Sequence, residues 1–132
     1  MTHYYRYYVL VMLTVVSMIN IMDRLILSIL LEDIKAEFTF TDTQLGVLAG
    51  LAFALFYALM SIPIARWADI SNRKNILAAA LIIWSGMTAL CGAATGFVSL
   101  FLARLGVGIG EAGGSPPSYS IIADYFKPSE RA

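Results

Sequence analysis

Of 132 residues, 59% are hydrophobic and 14% are charged, and the mean hydropathy is +0.75. A soluble domain of this size needs a polar shell around its core, so this composition excludes one and points to lipid as the solvent. The formal net charge is zero, which gives no electrostatic reason for a nucleic-acid partner and makes the placement of charge along the chain the informative quantity.

Taken in chain order, the sequence holds four apolar runs, at about Tyr8 to Leu31, Thr43 to Ile64, Ile76 to Thr95 and Val98 to Phe126. Each is near the roughly 20 residues that a helix needs to cross a hydrocarbon core. A lone span must satisfy its own backbone hydrogen bonds, so helices are required and the expected architecture is all-α. No A-x-A-like cleavage site follows the first run, which is therefore expected to remain as a span.

Orientation follows from the cations. Arg6, Arg66, Arg73, Lys74, Lys127 and Arg131 fall on one side, and Lys35 falls on the other with Glu32, Asp33, Glu37 and Asp42. The positive-inside rule then predicts a cytoplasmic N-terminus. The links at Glu32 to Asp42 and at Thr95, Gly96 and Phe97 are expected outside.

Four charged residues lie at mid-membrane: Asp23, Arg24, Arg104 and Glu111. Each costs at least about 2.5 kcal/mol at mid-membrane unless it finds a partner or a wet cavity. Asp23 lies about 22 Å from the start of span one, and Arg104 about 9 Å from the opposite end of span four. In a core about 30 Å thick these are similar depths, so the two can meet if the helices are neighbours. Glu111 is seven residues beyond Arg104 and shares its face, roughly 10 Å deeper. Either these charges neutralise one another during folding, or Glu111 or Asp23 binds and releases a proton as access alternates. Asn20 extends the polar strip by one turn.

The link from Ala65 to Lys74 places Asp69 among Arg66, Arg73 and Lys74, with Asp69 four residues before Arg73. In span four, Gly106, Gly110 and Gly114 form small-xxx-small pairs that allow close helix approach, as do Gly46 and Gly50 in span two. Pro116 and Pro117 remove backbone donors and are expected to bend or break the helix just past Glu111. Gly108, Gly110 and Gly113 match G-x-G-x-x-G formally, but no strand precedes them, so nucleotide binding is not expected. Cys91 can form no internal disulfide and reads as a small core residue. His3 is the single histidine, and no nucleophile, base and orienter set or metal cluster is visible, so neither an enzyme nor a cofactor is expected.

These residues carry a resemblance. The Asp69 to Lys74 stretch resembles the signature loop of the major facilitator superfamily, with Asp69 in the latch carboxylate position and Arg73 and Lys74 in the basic ones. Ala65, Ile70 and Asn72 depart from its Gly, Arg and Gly, and Asn72 is expected to tolerate the left-handed turn. Together with Asn20, Asp23 and Arg24 in span one and Arg104 through Gly110, Glu111 and Ala112 in span four, the chain resembles the Spinster-like branch of that superfamily. The resemblance implies a polytopic membrane protein whose four helices form part of the N-terminal six-helix half. It further implies a proton-coupled transporter in the inner membrane, with lipid, protons and a lysolipid or other small molecule as partners. Asp23, Arg24, Glu111, Arg104 and Asn20 would be the coupling and substrate set. An organic-anion symporter of the same superfamily, or a small four-span protein without transport activity, are the alternatives. Against twelve-span relatives, the stop at Ala132 is expected to reflect a truncation.

Overall fold

A computed structural model describes residues 3–126. Among them the chain is helical, in the order α1 (His3–Phe38), α2 (Asp42–Gly46), a π-helical turn (Val47–Leu51), α3 (Ala52–Ile70), α4 (Arg73–Gly92), α5 (Phe97–Ala112) and α6 (Ser115–Tyr125). Four segments are long and apolar enough to cross a membrane: Tyr4–Phe38, Asp42–Ile70, Arg73–Gly92 and Phe97–Tyr125. Lys127 and Arg131, which entered the orientation argument, lie outside the described residues.

The helices run further than the apolar stretches. Glu32, Asp33 and Glu37 belong to the last turns of α1 and not to a loop, because their exposed side chains cost nothing on a helix that has left the hydrocarbon. α1 ends at Thr39, whose φ of 54° is left-handed. Thr41 then starts α2 with a capping box: Gln44 N–H donates to Thr41 Oγ1 at 3.3 Å, and Thr41 N–H donates to Gln44 Oε1 at 2.9 Å. Lys35 and Asp42 form an ion pair across this corner.

α5 is the axis of the bundle. Leu100, Ala103, Arg104, Gly106, Val107, Gly108, Gly110, Glu111 and Ala112 are all buried in it, whereas α1 keeps a long exposed apolar surface from Tyr4 to Leu30. The glycines explain how α5 is enclosed. A Cβ on Gly110 would lie 2.6 Å from the Trp84 backbone nitrogen, one on Gly113 would lie 2.7 Å from Ala80 Cβ, and one on Gly106 would strike Met87. These positions, spaced by four and three residues, form one face against α4. Gly108 points elsewhere, with its virtual Cβ 3.2 Å from the Phe53 carbonyl oxygen of α3. The packing row is thus Gly106, Gly110 and Gly113. Gly114 has only the Glu111 carbonyl nearby, and Gly46 and Gly50 have nothing within 4 Å among the described residues, so no helix described here packs on those three.

Span four is two helices. Gly113 N–H donates to the Gly110 carbonyl at 3.1 Å and Gly114 N–H to the Glu111 carbonyl at 3.0 Å, and α6 then begins at Ser115. Pro116 and Pro117 occupy the first turn of α6, where a missing N–H is tolerated. The break thus falls at Gly113 and Gly114, just past Glu111 and immediately before the prolines. It falls there because neither proline can donate to the Ala112 and Gly113 carbonyls, which end α5 without those bonds.

Asn72 also departs from expectation. Its φ of −72° and ψ of 103° are extended, and its side chain caps α4 by accepting from Lys74 N–H at 3.1 Å. The turn uses Asn as an N-cap and needs no left-handed residue. The start of α1 and the end of α6 meet at this same end of the bundle, where the Tyr5 and Tyr125 rings lie 6.0 Å apart and Arg6 sits 5.3 Å from the Phe126 ring.

Replacing Gly110 with Leu should lower stability by about 1–3 kcal/mol through overpacking against Trp84, while Gly50→Ala should be neutral. Thermal unfolding of the detergent-solubilised variants would test this.

Candidate functional site

The intramembrane charges are gathered by geometry that begins on α1. Successive helical residues point about 100° apart, so Asp23 and Arg24 serve different partners. Arg24 Nε donates to Glu111 Oε2 at 2.9 Å, and its Nη2 lies 2.8 Å from the same oxygen. The Glu111 side chain is fully buried while that of Arg24 is 42% exposed. Asp23 Oδ2 lies 4.0 Å from Arg104 Nη1, an electrostatic contact too long for a hydrogen bond, and it accepts from Trp84 Nε1–H at 3.2 Å. The structure thus joins the four residues into two ion pairs stacked along α5, and the quartet is internally neutral.

Aromatic residues of α3 complete the cluster. The Arg24 guanidinium lies 4.9 Å from the Phe53 ring centre and 5.2 Å from that of Tyr57, and the Arg104 guanidinium lies 5.3 Å from Phe53. One ring is therefore shared by both cations, which lowers the cost of holding them away from water. Tyr57 in turn donates to Ser115 Oγ at 3.4 Å, bridging to the first residue of α6. Phe53, Tyr57 and Trp84 were not legible as site residues, because an aromatic in an apolar span reads as core until its neighbour is known.

A cavity of about 420 Å³ lies against the inner pair, lined by Asn20, Arg24, Tyr57, Trp84, Glu111 and Ser115 among others. Its apolar wall includes Leu13, Val16, Leu81 and Ile122. Glu111 Oε1 has no hydrogen-bond partner among the described residues. The arrangement can therefore offer an anion one cation, Arg24, whose present partner is a carboxylate able to take up a proton.

The loop residues do not act together as their spacing suggested. Arg73 pairs with Asp124 of α6 instead of Asp69, since Asp69 lies on the last turn of α3 while Arg73 starts α4 beyond the Ser71–Asn72 corner. Asp69 and Lys74 are exposed at the same end. Cys91 is half-buried and packs against the Phe53, Trp84 and Val107 cluster. No group of His, Cys, Asp or Glu among the described residues could hold a metal ion.

Four apolar helices enclosing a neutral set of paired charges define a polytopic α-helical membrane protein. The sequence model of the Major Facilitator Superfamily matches residues 13–132, and the chain belongs to that superfamily. It is 49% identical, with a TM-score of 0.94, to the crystal structure of a bacterial homolog to the human lysosomal transporter Spinster, in an inward-facing, unoccupied conformation. That match covers 99% of this chain and 27% of the other, and it supports the Spinster-like resemblance read from the motifs. The chain is also 39% identical over 120 residues to an MFS-type efflux pump of Mycolicibacterium smegmatis, covering 91% of this chain and 28% of the pump. With a hexuronate transporter of Bacillus subtilis it shares 31% identity over 124 residues, covering 94% of this chain and 29% of that protein. These relatives are transporters and not enzymes, and the chain spans under a third of their length.

Arg24→Ala strands the Glu111 carboxylate. It should cost about 3 kcal/mol, the low end for breaking a buried pair because Arg24 is partly exposed. Adding Glu111→Gln should recover most of that loss, as read by unfolding midpoints of the single and double variants.

Proposed function

We propose that these helices belong to a secondary active transporter that operates by alternating access and is driven by protons. The observation that supports this most directly is the fully buried Glu111, tied to a half-exposed Arg24 at the wall of a cavity. A proton arriving at the Glu111 carboxylate neutralises it and weakens its bond to Arg24. The Arg24 guanidinium, still cationic, is then free to pair with an anionic group in the cavity. Loss of the proton restores the ion pair and displaces that anion. Asn20 lies beside Glu111 and can hold either protonation state, while Asp23 and Arg104 keep the second pair neutral. The small residues and the break at Gly113 and Gly114 supply a helix able to move between the two arrangements.

The substrate proposed is an amphiphile with an anionic head, of the lysolipid type, because Arg24 supplies the head contact and Leu13, Val16, Leu81 and Ile122 supply an apolar wall. The hexuronate relative keeps a compact organic anion as the second reading. The N-terminus is proposed to be cytoplasmic in an inner membrane, since Arg6, Arg66, Arg73 and Lys74 gather at the end of the bundle where α1 begins. At that end Arg73 holds Asp124, and Asp69 and Lys74 are left exposed as a latch for helices beyond those described here.

In proteoliposomes containing the complete transporter, Glu111→Gln should abolish stimulation of uptake by an imposed pH gradient while leaving substrate exchange measurable. Stimulation that persists unchanged removes Glu111 as the proton carrier. Competition by lysolipid but not by hexuronate would decide between the substrate readings.

A further inference from the structure

A second cavity lies on the far side of the charge quartet. It measures about 350 Å³ and is lined by Asp23, Thr88, Cys91 and Arg104 at its inner end and by Ile34 and Glu37 at its mouth. Along α1 it runs from Asp23 to Phe38, toward the acidic end of the bundle, whereas the Glu111 cavity runs from Arg24 back to Leu13. The two are separated where Trp84 Nε1–H donates to Asp23 and where Phe53 sits between the two guanidinium groups.

The inner end of this second cavity is chemically unfinished. The Arg104 side chain is 5% exposed, yet its Nε has no hydrogen-bond partner among the described residues, and neither has the buried Thr88 Oγ1. A buried N–H or hydroxyl in an apolar bundle costs roughly 1–3 kcal/mol when unmatched. Two donors and the Asp23 carboxylate converge on one space, which meets the requirement for stable internal water: two to four polar partners and room for at least one molecule. A lipid tail in the same space would leave Arg104 Nε and Thr88 Oγ1 unmatched.

We infer that this cavity is a water-binding site that carries solvent from the acidic end of the bundle to the Asp23–Arg104 pair, separately from the cavity that serves Glu111. The water accepts from Arg104 Nε–H and donates to Asp23. The exposed Glu32, Asp33 and Glu37 place negative charge near the mouth. Within the bundle, Asp23 is faced by Cys91 from α4, by Arg104 and Glu111 from α5, and by neighbouring Arg24 on its own helix. The two ion pairs would then meet solvent from opposite ends, with Trp84 as the positioning residue that keeps the routes apart. The use of this route in proton coupling rests on the transport reading above; the existence of the water site does not.

Cys91, the one cysteine in the 132 residues, is a built-in reporter. In the protein reconstituted into vesicles, a cationic, membrane-impermeant methanethiosulfonate added on the acidic-end side should modify Cys91 at least tenfold faster than from the opposite side. Gly92 lines the same cavity, and a Cβ there meets nothing within 4 Å, so Gly92→Trp should fill the space and slow modification about tenfold. Trp84→Phe should open the partition and raise the rate from the opposite side. Reaction with an uncharged, permeant maleimide but not with the cationic reagent would mean a lipid-filled groove and overturn the inference. So would equal rates from both sides, or no reaction with either reagent. None of these readouts involves transport, so failure of the proton-carrier role of Glu111 would leave them unchanged.

Discussion

The close approach of α5 to α3 and α4 is the constraint on which the rest of this structure depends. Charged side chains in a bilayer are tolerated only when protein, water or an opposite charge replaces the lipid around them. Glu111 and Arg104 gain that environment because Gly110 lets the Trp84 backbone of α4 approach, Gly106 and Gly113 make room for Met87 and Ala80 of the same helix, and Gly108 admits the Phe53 carbonyl of α3. Side chains at these positions would hold the helices apart and leave the carboxylate and guanidinium facing hydrocarbon. Packing and charge are therefore one problem, solved by one row of small residues.

Once α5 is enclosed, the order of charges along it sets the electrostatics. Arg104 and Glu111 share a face but differ in depth, and Asp23 and Arg24 are adjacent on α1, so each finds a partner of opposite sign. Phe53 and Trp84 then divide the cluster. The ring serves both cations, and the indole N–H gives Asp23 a hydrogen bond that its distant arginine does not supply. The pairs differ in access: Arg24 is half-open to its cavity, while Arg104 is almost wholly enclosed.

Much of this was legible in particular residues. Asp23 and Arg104 could be matched because a helix rises by a fixed amount per residue, so sequence position converts to depth. The basic residues of the Ala65 to Lys74 segment and the acidic ones after Leu31 marked opposite ends through the same cost of burying charge. Reading failed where the partner was distant in sequence. Asp69 and Arg73 have the spacing of a helical ion pair, but the corner at Ser71 and Asn72 interrupts the helix and Arg73 turns to Asp124. Gly114 and Gly46 have the spacing of packing glycines, but spacing does not say which helix meets that face, and none of the described helices does.

By itself, the sequence determined the class of protein, the number of spans, the two ends and the four residues that would need partners. All of these follow from the free energy of transferring side chains and peptide groups into lipid, which is a local property of each segment. Only the tertiary structure decided which charge meets which, that Phe53, Tyr57 and Trp84 belong to the site, and that two cavities flank the quartet. Those depend on helix rotation and crossing, set by the fit of small residues on α5 against backbone contributed by helices tens of residues away. No window along the chain contains both sides of that fit.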